Sequence, residues 1–388
     1  MKILMVEQFL PDSVYTLELC RALRRQQDMQ LTVFCRKGGS VPLEGVQWKD
    51  EFYAGGKGRA EAVLRYGAGL AALAREMRTG GYDVIHVQNF KDARYEIPLY
   101  CRAKKHCGLL VHTVHNLLPH EAVERDKKLY GALYASCDLL VVHNLYCRQL
   151  LLDEYHVPPE KICVTPHGSY TQIHAEASAF PHAGTAEFLQ FGVLRRYKGV
   201  DILLEALARM TDAQRSRVHV TIAGAQYPKL DATDYAAIIR QKQLSSCVTL
   251  RLGHVPETEL DGLYRSADFC LFPYREIYGS GALLMAYSYA KPVLASGIPA
   301  FEEETSGGAA GILYPPEDPD ALKAAMLQAA DWQAAEYAAR QKCIRTLVQE
   351  KYNWTHSAEC LAKGGVRPIM SSSSVMMRKL VRSMSAGR

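Results

Sequence analysis

Residues Pro273–Gly297 read PYREIYGSGALLMAYSYAKPVLASG. The stretch predicts a strand end, a glycine-bearing turn, a helix and a following strand. Ser280 and Gly281 fall where that helix begins. A helix N-terminus carries unpaired backbone N–H groups and a partial positive charge, so it holds phosphate well. Glycine at that point lets the backbone come close to a ligand.

Upstream, Phe191–Leu207 reads FGVLRRYKGVDILLEAL and puts Arg195, Arg196 and Lys198 at the mouth of another strand-to-helix turn. Guanidinium and ammonium groups neutralise phosphate oxygens, and a departing diphosphate gains charge as its bond breaks. Arg195 and Lys198 are the pair of interest; Arg196 reads equally well as solvent-facing. Two such turns in one parallel sheet make a cradle for a diphosphate. Glu276 precedes the Ser-Gly turn. An acid beside a phosphate is costly unless it binds a hydroxyl or a cation. Glu276 is therefore expected on sugar or ribose hydroxyls, the competing reading being a surface pair with Arg275.

Strands and helices alternate on both sides of this region. Lys2–Val6, Gln30–Cys35, Val84–Val87, Leu109–Val114, Leu139–His143 and Ile162–Pro166 are apolar strand candidates, with helical patterns at Ser13–Arg25 and Arg59–Arg78. The pattern lapses into polar, small and proline residues from Thr171 to Ala186 and then restarts. Later strands are expected at Glu187–Gly192, Val218–Gly224, Val248–Leu252, Phe269–Pro273, Pro292–Ser296 and Gly311–Tyr314. Such alternation predicts parallel sheets covered by helices. The expected organisation is an α/β domain over residues 1–175, a second over 186–350, and a C-terminal helix and basic tail over 351–388, the two domains facing one cleft.

Length and composition suit this reading. The chain has 388 residues, enough for two cores, and is 48% hydrophobic and 22% charged. No apolar run reaches the roughly 18 residues a membrane span needs. The opening MKILMVEQF enters a strand directly, without a cleavable signal pattern. Eleven cysteines, none in a C-x-x-C pair, predict reduced thiols in a cytoplasmic protein.

The formal charge is +5. From Leu361 onward the basic residues are Lys363, Arg367, Arg378, Lys379, Arg382 and Arg388, with no acid among them. The basic character is thus local to the tail. This argues against a nucleic-acid-binding body. It leaves the tail as a candidate contact for anionic lipid on the inner face of the cell membrane, against the plainer reading of a frayed terminus.

The first half carries a second set of polar residues at strand ends. His115 and Asn116 follow LLVHTV, within HTVHNLLPHE, which also holds His120 and Glu121. Polar residues at the carboxyl end of a buried strand are where this architecture contacts ligands, and histidine exchanges protons near neutral pH. His86, Gln88 and Asn89 occupy the analogous position one strand over. His167 and Gly168 in TPHGSY read as hinge and cleft-edge residues. Gly67–Ala72 fits a loose dinucleotide fingerprint but lies inside a helical run, and Asp318 ahead of Pro319 reads as a helix cap rather than a metal ligand.

Three runs carry a family resemblance: FGVLRRYKGVDILLEAL, then RLGHVPETELDGLYRSADFCLFPY at Arg251–Tyr274, then YREIYGSGALLMAYSYAKPVLASGIPAFEE at Tyr274–Glu303. In this order they resemble glycosyltransferase family 4, whose members have two facing Rossmann-like domains (the GT-B architecture). The resemblance implies an enzyme that moves a hexose-type sugar from a nucleoside diphosphate donor to a hydroxyl of a glycan or lipid-linked acceptor. It implies a retaining course, no metal or other cofactor, and a setting in cell-surface polysaccharide assembly. It further implies that Arg195 and Lys198 bind the diphosphate with the Ser280 and Gly281 amides, that Gly253–Val255 lies near the base, that Glu276 serves the donor, and that His115 sits by the reacting sugar. His86, Asn89, Asn116, His120 and Glu121 would then face the acceptor.

Two departures stand out. The usual glutamate pair separated by seven residues would fall on Ile277 and Met285, so Glu276 is one place early and the second acid is missing. Family members often carry a glycine pair after the first strand, whereas no glycine occurs between Lys2 and Arg36. The alternatives are therefore a non-catalytic nucleotide-sugar-binding or accessory subunit, and a GT-B-type epimerase or phosphorylase.

Overall fold

The computed structural model describes residues 1–26, 29–52, 58–119, 122–170 and 184–366. The chain divides into two compact units, Met1–Gly168 with Asn353–Arg388, and Ser169–Tyr352. The organisation after residue 350 differs from the one expected. As far as residue 366 the segment is not a separate appendage: Trp354, Ala358, Leu361 and Val366 belong to the core of the first unit. Gly168 is fitted to this return, since a Cβ there would lie 2.5 Å from the Trp354 ring.

Among the described residues the first unit holds seven strands: β1 Lys2–Glu7, β2 Gln30–Arg36, β3 Val46–Phe52, β4 Val84–Val87, β5 Leu109–Thr113, β6 Leu139–Val142 and β7 Ile162–Val164. They form one sheet in the order β3-β2-β1-β4-β5-β6-β7, and its neighbouring strands pair in parallel. β3 is an addition to the strands expected. It is an edge strand, VQWKDEF, whose side chains are mostly half-buried, so it lacks the apolar run that marks its neighbours.

The second unit holds six among the described residues: β8 Ala186–Phe191, β9 Val218–Gly224, β10 Val248–Leu252, β11 Phe269–Phe272, β12 Val293–Ser296 and β13 Gly311–Tyr314. Their order is β10-β9-β8-β11-β12-β13, again with parallel pairing. Strand alternation serves both faces. Phe188, Phe269 and Leu271 enter one apolar layer, while Leu189, Cys270 and Phe272 enter the other. A parallel sheet buried on both faces needs apolar residues at successive positions, which is how these strands read.

Each sheet reverses its winding beside its first strand, between β1 and β4 in one unit and between β8 and β11 in the other. Ligands of such sheets bind outside the carboxyl ends of the strands at this reversal. In the second unit those ends lead into the basic turn after β8 and the Ser-Gly turn after β11.

Candidate active site

The basic turn is tied closely to the loop after β11. Arg196–Lys198 forms a single 3-10 turn that ends at Gly199, whose φ is +66°. A Cβ on Gly199 would lie 1.9 Å from the Pro273 carbonyl oxygen, so the two loops approach as closely as they do only because that residue is glycine. Arg275 completes the attachment. Its N–H donates to the Tyr197 carbonyl at 2.7 Å, and its guanidinium donates to the Arg196 carbonyl and the Asp201 carboxylate at 2.7 and 2.8 Å. Arg275 also pairs with Glu317, so the surface pair weighed for Glu276 is replaced by Asp201 and Glu317. Glu276 itself is exposed.

Lys198 is buried, and its Nζ donates to the Tyr274 hydroxyl at 2.8 Å. Burial depresses the Lys198 pKa, because a cation loses hydration there. Among the described residues Lys198 meets no carboxylate. The same Tyr274 phenol is faced by the Ser280 hydroxyl. Ser280 caps the helix Gly281–Ser288 by accepting from the Leu283 N–H at 3.2 Å. Lys198 and the Ser-Gly turn therefore converge on one tyrosine, which no motif singled out.

The Ser280 amide is already engaged, donating to the buried carboxylate of Glu304 at 3.2 Å. The first amides of a helix have no acceptor within it, so Gly281 and Ala282 supply donors at this mouth. Arg195 is half-buried and close enough to act electrostatically on Lys198, whereas Arg196 is exposed. Gly253 is exposed at the end of edge strand β10, and Val255 packs against the apolar layer under the Ser-Gly helix.

In the first unit Glu7 occupies the end of β1, where the family glycine pair is absent. Its carboxylate accepts from the Phe9 N–H, the Ser13 and Thr16 hydroxyls and the Asn89 amide, at 2.9, 2.9, 2.8 and 2.7 Å. A buried carboxylate thus organises the turn that glycine would otherwise shape. Its position at the end of an apolar strand is the available signal, and sequence reading passes over it.

Histidines gather beside it. His115 lies edge-on to Tyr15 at 4.7 Å between ring centroids, with His143 and His167 at 5.0 and 4.9 Å from the same ring. His115 Nε2 donates to Gln88 Oε1 at 3.1 Å, which leaves its Nδ1 as the acceptor nitrogen. Burial, reinforced by the neighbouring histidines, holds His115 well below the ordinary imidazole range, so it is neutral. His86 does not line the surface as expected of an acceptor contact. It is buried within β4, with Nε2 2.7 Å from the Thr113 hydroxyl and 3.1 Å from the Gln88 amide nitrogen. Its place is behind Gln88, which it orients toward His115. Asn89 is half-buried on Glu7 and Asn116 is exposed. His120 and Glu121 lie outside the described residues, as does the basic tail from residue 367.

Comparison with known proteins agrees with this architecture. Residues 13–172 match the profile of Glycosyltransferase Family 4, and residues 186–331 match Glycosyl transferases group 1. The chain belongs to this glycosyltransferase family and has the GT-B fold of paired Rossmann-like domains. It is 28% identical over 240 residues to a GDP-mannose:glycolipid 4-beta-D-mannosyltransferase of Xanthomonas campestris pv. campestris. That match spans 57% of this chain and 63% of the relative's length. Among solved structures, a sucrose-phosphate synthase from Thermosynechococcus elongatus superposes with a TM-score of 0.72 at 18% identity, covering 100% of both chains. Anabaena HepE (Alr3699), in complex with UDP and glucose, superposes with a TM-score of 0.72 at 15% identity, covering 94% of this chain and 99% of that one.

Proposed function

We propose that the protein transfers a hexose from a nucleoside diphosphate sugar to a hydroxyl of a glycan or lipid-linked acceptor in cell-surface polysaccharide assembly. The observation that carries this reading is the convergence of Lys198 and Ser280 on Tyr274 at the sheet reversal of the second unit. A buried ammonium without a carboxylate partner is costly in isolation and is stabilised by an anion. The diphosphate supplies that anion, with the Gly281 and Ala282 amides and Arg195 completing the charge balance. HepE, of similar fold, has been seen with UDP and glucose, and the Xanthomonas relative is named for GDP-mannose and a glycolipid, which supports both donor class and acceptor class.

In the proposed reaction the bond between the sugar's anomeric carbon and the diphosphate oxygen breaks. The acceptor oxygen bonds to that carbon, and its proton passes to the departing diphosphate oxygen. Lys198, Arg195 and the helix mouth stabilise the charge on the departing diphosphate. His115, neutral and with Nδ1 as acceptor, is oriented by Gln88, and the family resemblance assigns it to the reacting sugar. No metal is required in this scheme, because protein cations do the charge stabilisation; undiminished turnover in EDTA is expected. The retaining course implied by the family resemblance belongs to the same proposal. NMR of the product's anomeric proton tests it: retention is the expected result, and inversion, the course suggested by the β linkage in the Xanthomonas relative's name, would overturn it.

The acceptor's lipid portion and a peripheral position on the membrane are supported by the helix Arg59–Thr79. Its outward Val63 and Leu64 are 64% and 74% exposed, with Arg59 and Arg65 alongside. Among the described residues no helix is long and apolar enough to cross a membrane.

The test is a melting screen of UDP-, GDP- and ADP-sugars followed by transfer to lipid-linked acceptors, since a ligand of the native state raises its melting point. Stabilisation by one donor and its turnover with acceptor is expected. A second reading, an accessory subunit, is favoured by Met285 standing where the family's second acid falls. Donor turnover that disappears in His115→Ala rules it out, and turnover without any acceptor would instead indicate an epimerase.

A further inference from the structure

One buried acid in the second unit has no part in the reaction just described. Glu304 ends the short helix Pro299–Glu304 and is 7% exposed. Its Oε1 accepts from the Ser280 N–H at 3.2 Å, while its Oε2 is buried with no hydrogen-bond partner among the described residues. Its position is fixed from two further elements. The Tyr287 hydroxyl, on the Ser-Gly helix, donates to the Glu304 carbonyl at 3.2 Å, and the Tyr352 hydroxyl donates to the same oxygen at 3.1 Å.

The charged groups around it do not neutralise it. Glu303, on its own helix, repels a second negative charge, and Lys351 attracts one but lies 4.0 Å from the Glu303 carboxylate. Tyr274, from the loop after β11, is also within electrostatic reach. Burial outweighs the Ser280 amide and pushes the Glu304 pKa up to about 8. A neutral carboxylic acid can accept from Ser280 through its carbonyl oxygen. An ionised one adds a full negative charge at the helix mouth where a diphosphate would bind. Two anions at one N-terminus compete for the same partial positive charge.

Building on the donor site proposed above, we propose that Glu304 is a positioning residue that fixes Ser280 and, through its own protonation, sets how tightly the helix mouth holds a diphosphate. The protonated form favours the donor and the ionised form opposes it. By linkage, a bound diphosphate holds the proton on Glu304.

Titration of UDP-glucose and GDP-mannose into wild type, Glu304→Gln and Glu304→Ala at pH 7, 8 and 9 tests this. If the ionised form binds negligibly, wild-type affinity falls by about tenfold between pH 7 and 9. Lys198 and the nucleobase also titrate toward high pH, and both remain in Glu304→Gln, so the comparison isolates Glu304. Glu304→Gln keeps an acceptor for Ser280 and is expected to lose the greater part of this fall. Glu304→Ala is expected to bind weakly at every pH. A Glu304→Gln profile parallel to wild type would overturn the inference while leaving the donor site intact. Absence of binding by wild type at all pH values would overturn the donor site and this inference together.

Discussion

The ammonium of Lys198 and the hydroxyl of Tyr274 lie 2.8 Å apart, joining the turn after β8 to the loop after β11. The lysine sits on one side of the sheet reversal and the tyrosine on the other. Tyr274 is itself held from below, its carbonyl accepting from the Ser296 hydroxyl at 2.5 Å. The contact is therefore part of a braced arrangement and depends on the phenol oxygen. Tyr274→Phe is expected to lower stability by about 1–2 kcal/mol, since Lys198 loses its hydrogen-bond acceptor in a buried setting. Chemical denaturation measures the loss, and an unchanged midpoint would show that the contact contributes nothing.

Gly199 fixes how closely the two loops approach. Alanine there must adopt φ near +66° and place a Cβ 1.9 Å from the Pro273 oxygen. Gly199→Ala is expected to destabilise by more than about 1 kcal/mol and to weaken nucleotide binding, because Lys198 is its chain neighbour. Melting and titration report the two effects separately.

The histidines of the first unit predict acid sensitivity. Burial holds His86 at about 3 and His143 at about 4. His112 and His167 are likewise depressed, to about 4 and about 3. The unfolded chain takes up protons near the ordinary imidazole value of 6.5 while the native chain does not. Their contribution is present above pH 6.5 and is lost as pH falls toward 4, where protons favour the unfolded state. The melting temperature is expected to drop over that interval. A flat profile would contradict the neutral, buried placement of these rings.

Much of the architecture is legible in the sequence because apolar residues recur along the strands, at successive positions in the buried Val84–Val87 and at alternate ones in the edge strand Val248–Leu252. Val84–Val87, Val218–Gly224, Val248–Leu252 and Gly311–Tyr314 coincide with their expected bounds to the residue. β3 escapes such reading because a half-buried edge strand carries no apolar run. The return of Trp354 to the first unit escapes it because a contact across the whole chain leaves no local pattern. Lys198, Ser280 and Gly281 are visible because glycine and cations punctuate turns. Tyr274 and Glu304 are not, because each acts through a partner distant in sequence, and Glu7 shows only as an acid ending an apolar strand. His86 misleads because a polar residue in a strand gives no sign of which partner it meets.

The outward face of Arg59–Thr79 predicts binding to anionic bilayers through Val63 and Leu64. Co-sedimentation with phosphatidylglycerol vesicles is expected for wild type and reduced for Leu64→Glu. Equal pelleting of both would place any membrane contact elsewhere.

The most direct test of the donor site is calorimetric titration of the preferred nucleotide sugar into wild type and Lys198→Met. Methionine keeps the volume of the buried side chain and removes its charge, so the fold is expected to persist. Loss of affinity by at least about tenfold, roughly 1.4 kcal/mol, is the predicted result. Binding by Lys198→Met as tight as that of wild type would contradict the assignment of the diphosphate to Lys198 and the Ser280–Gly281 turn.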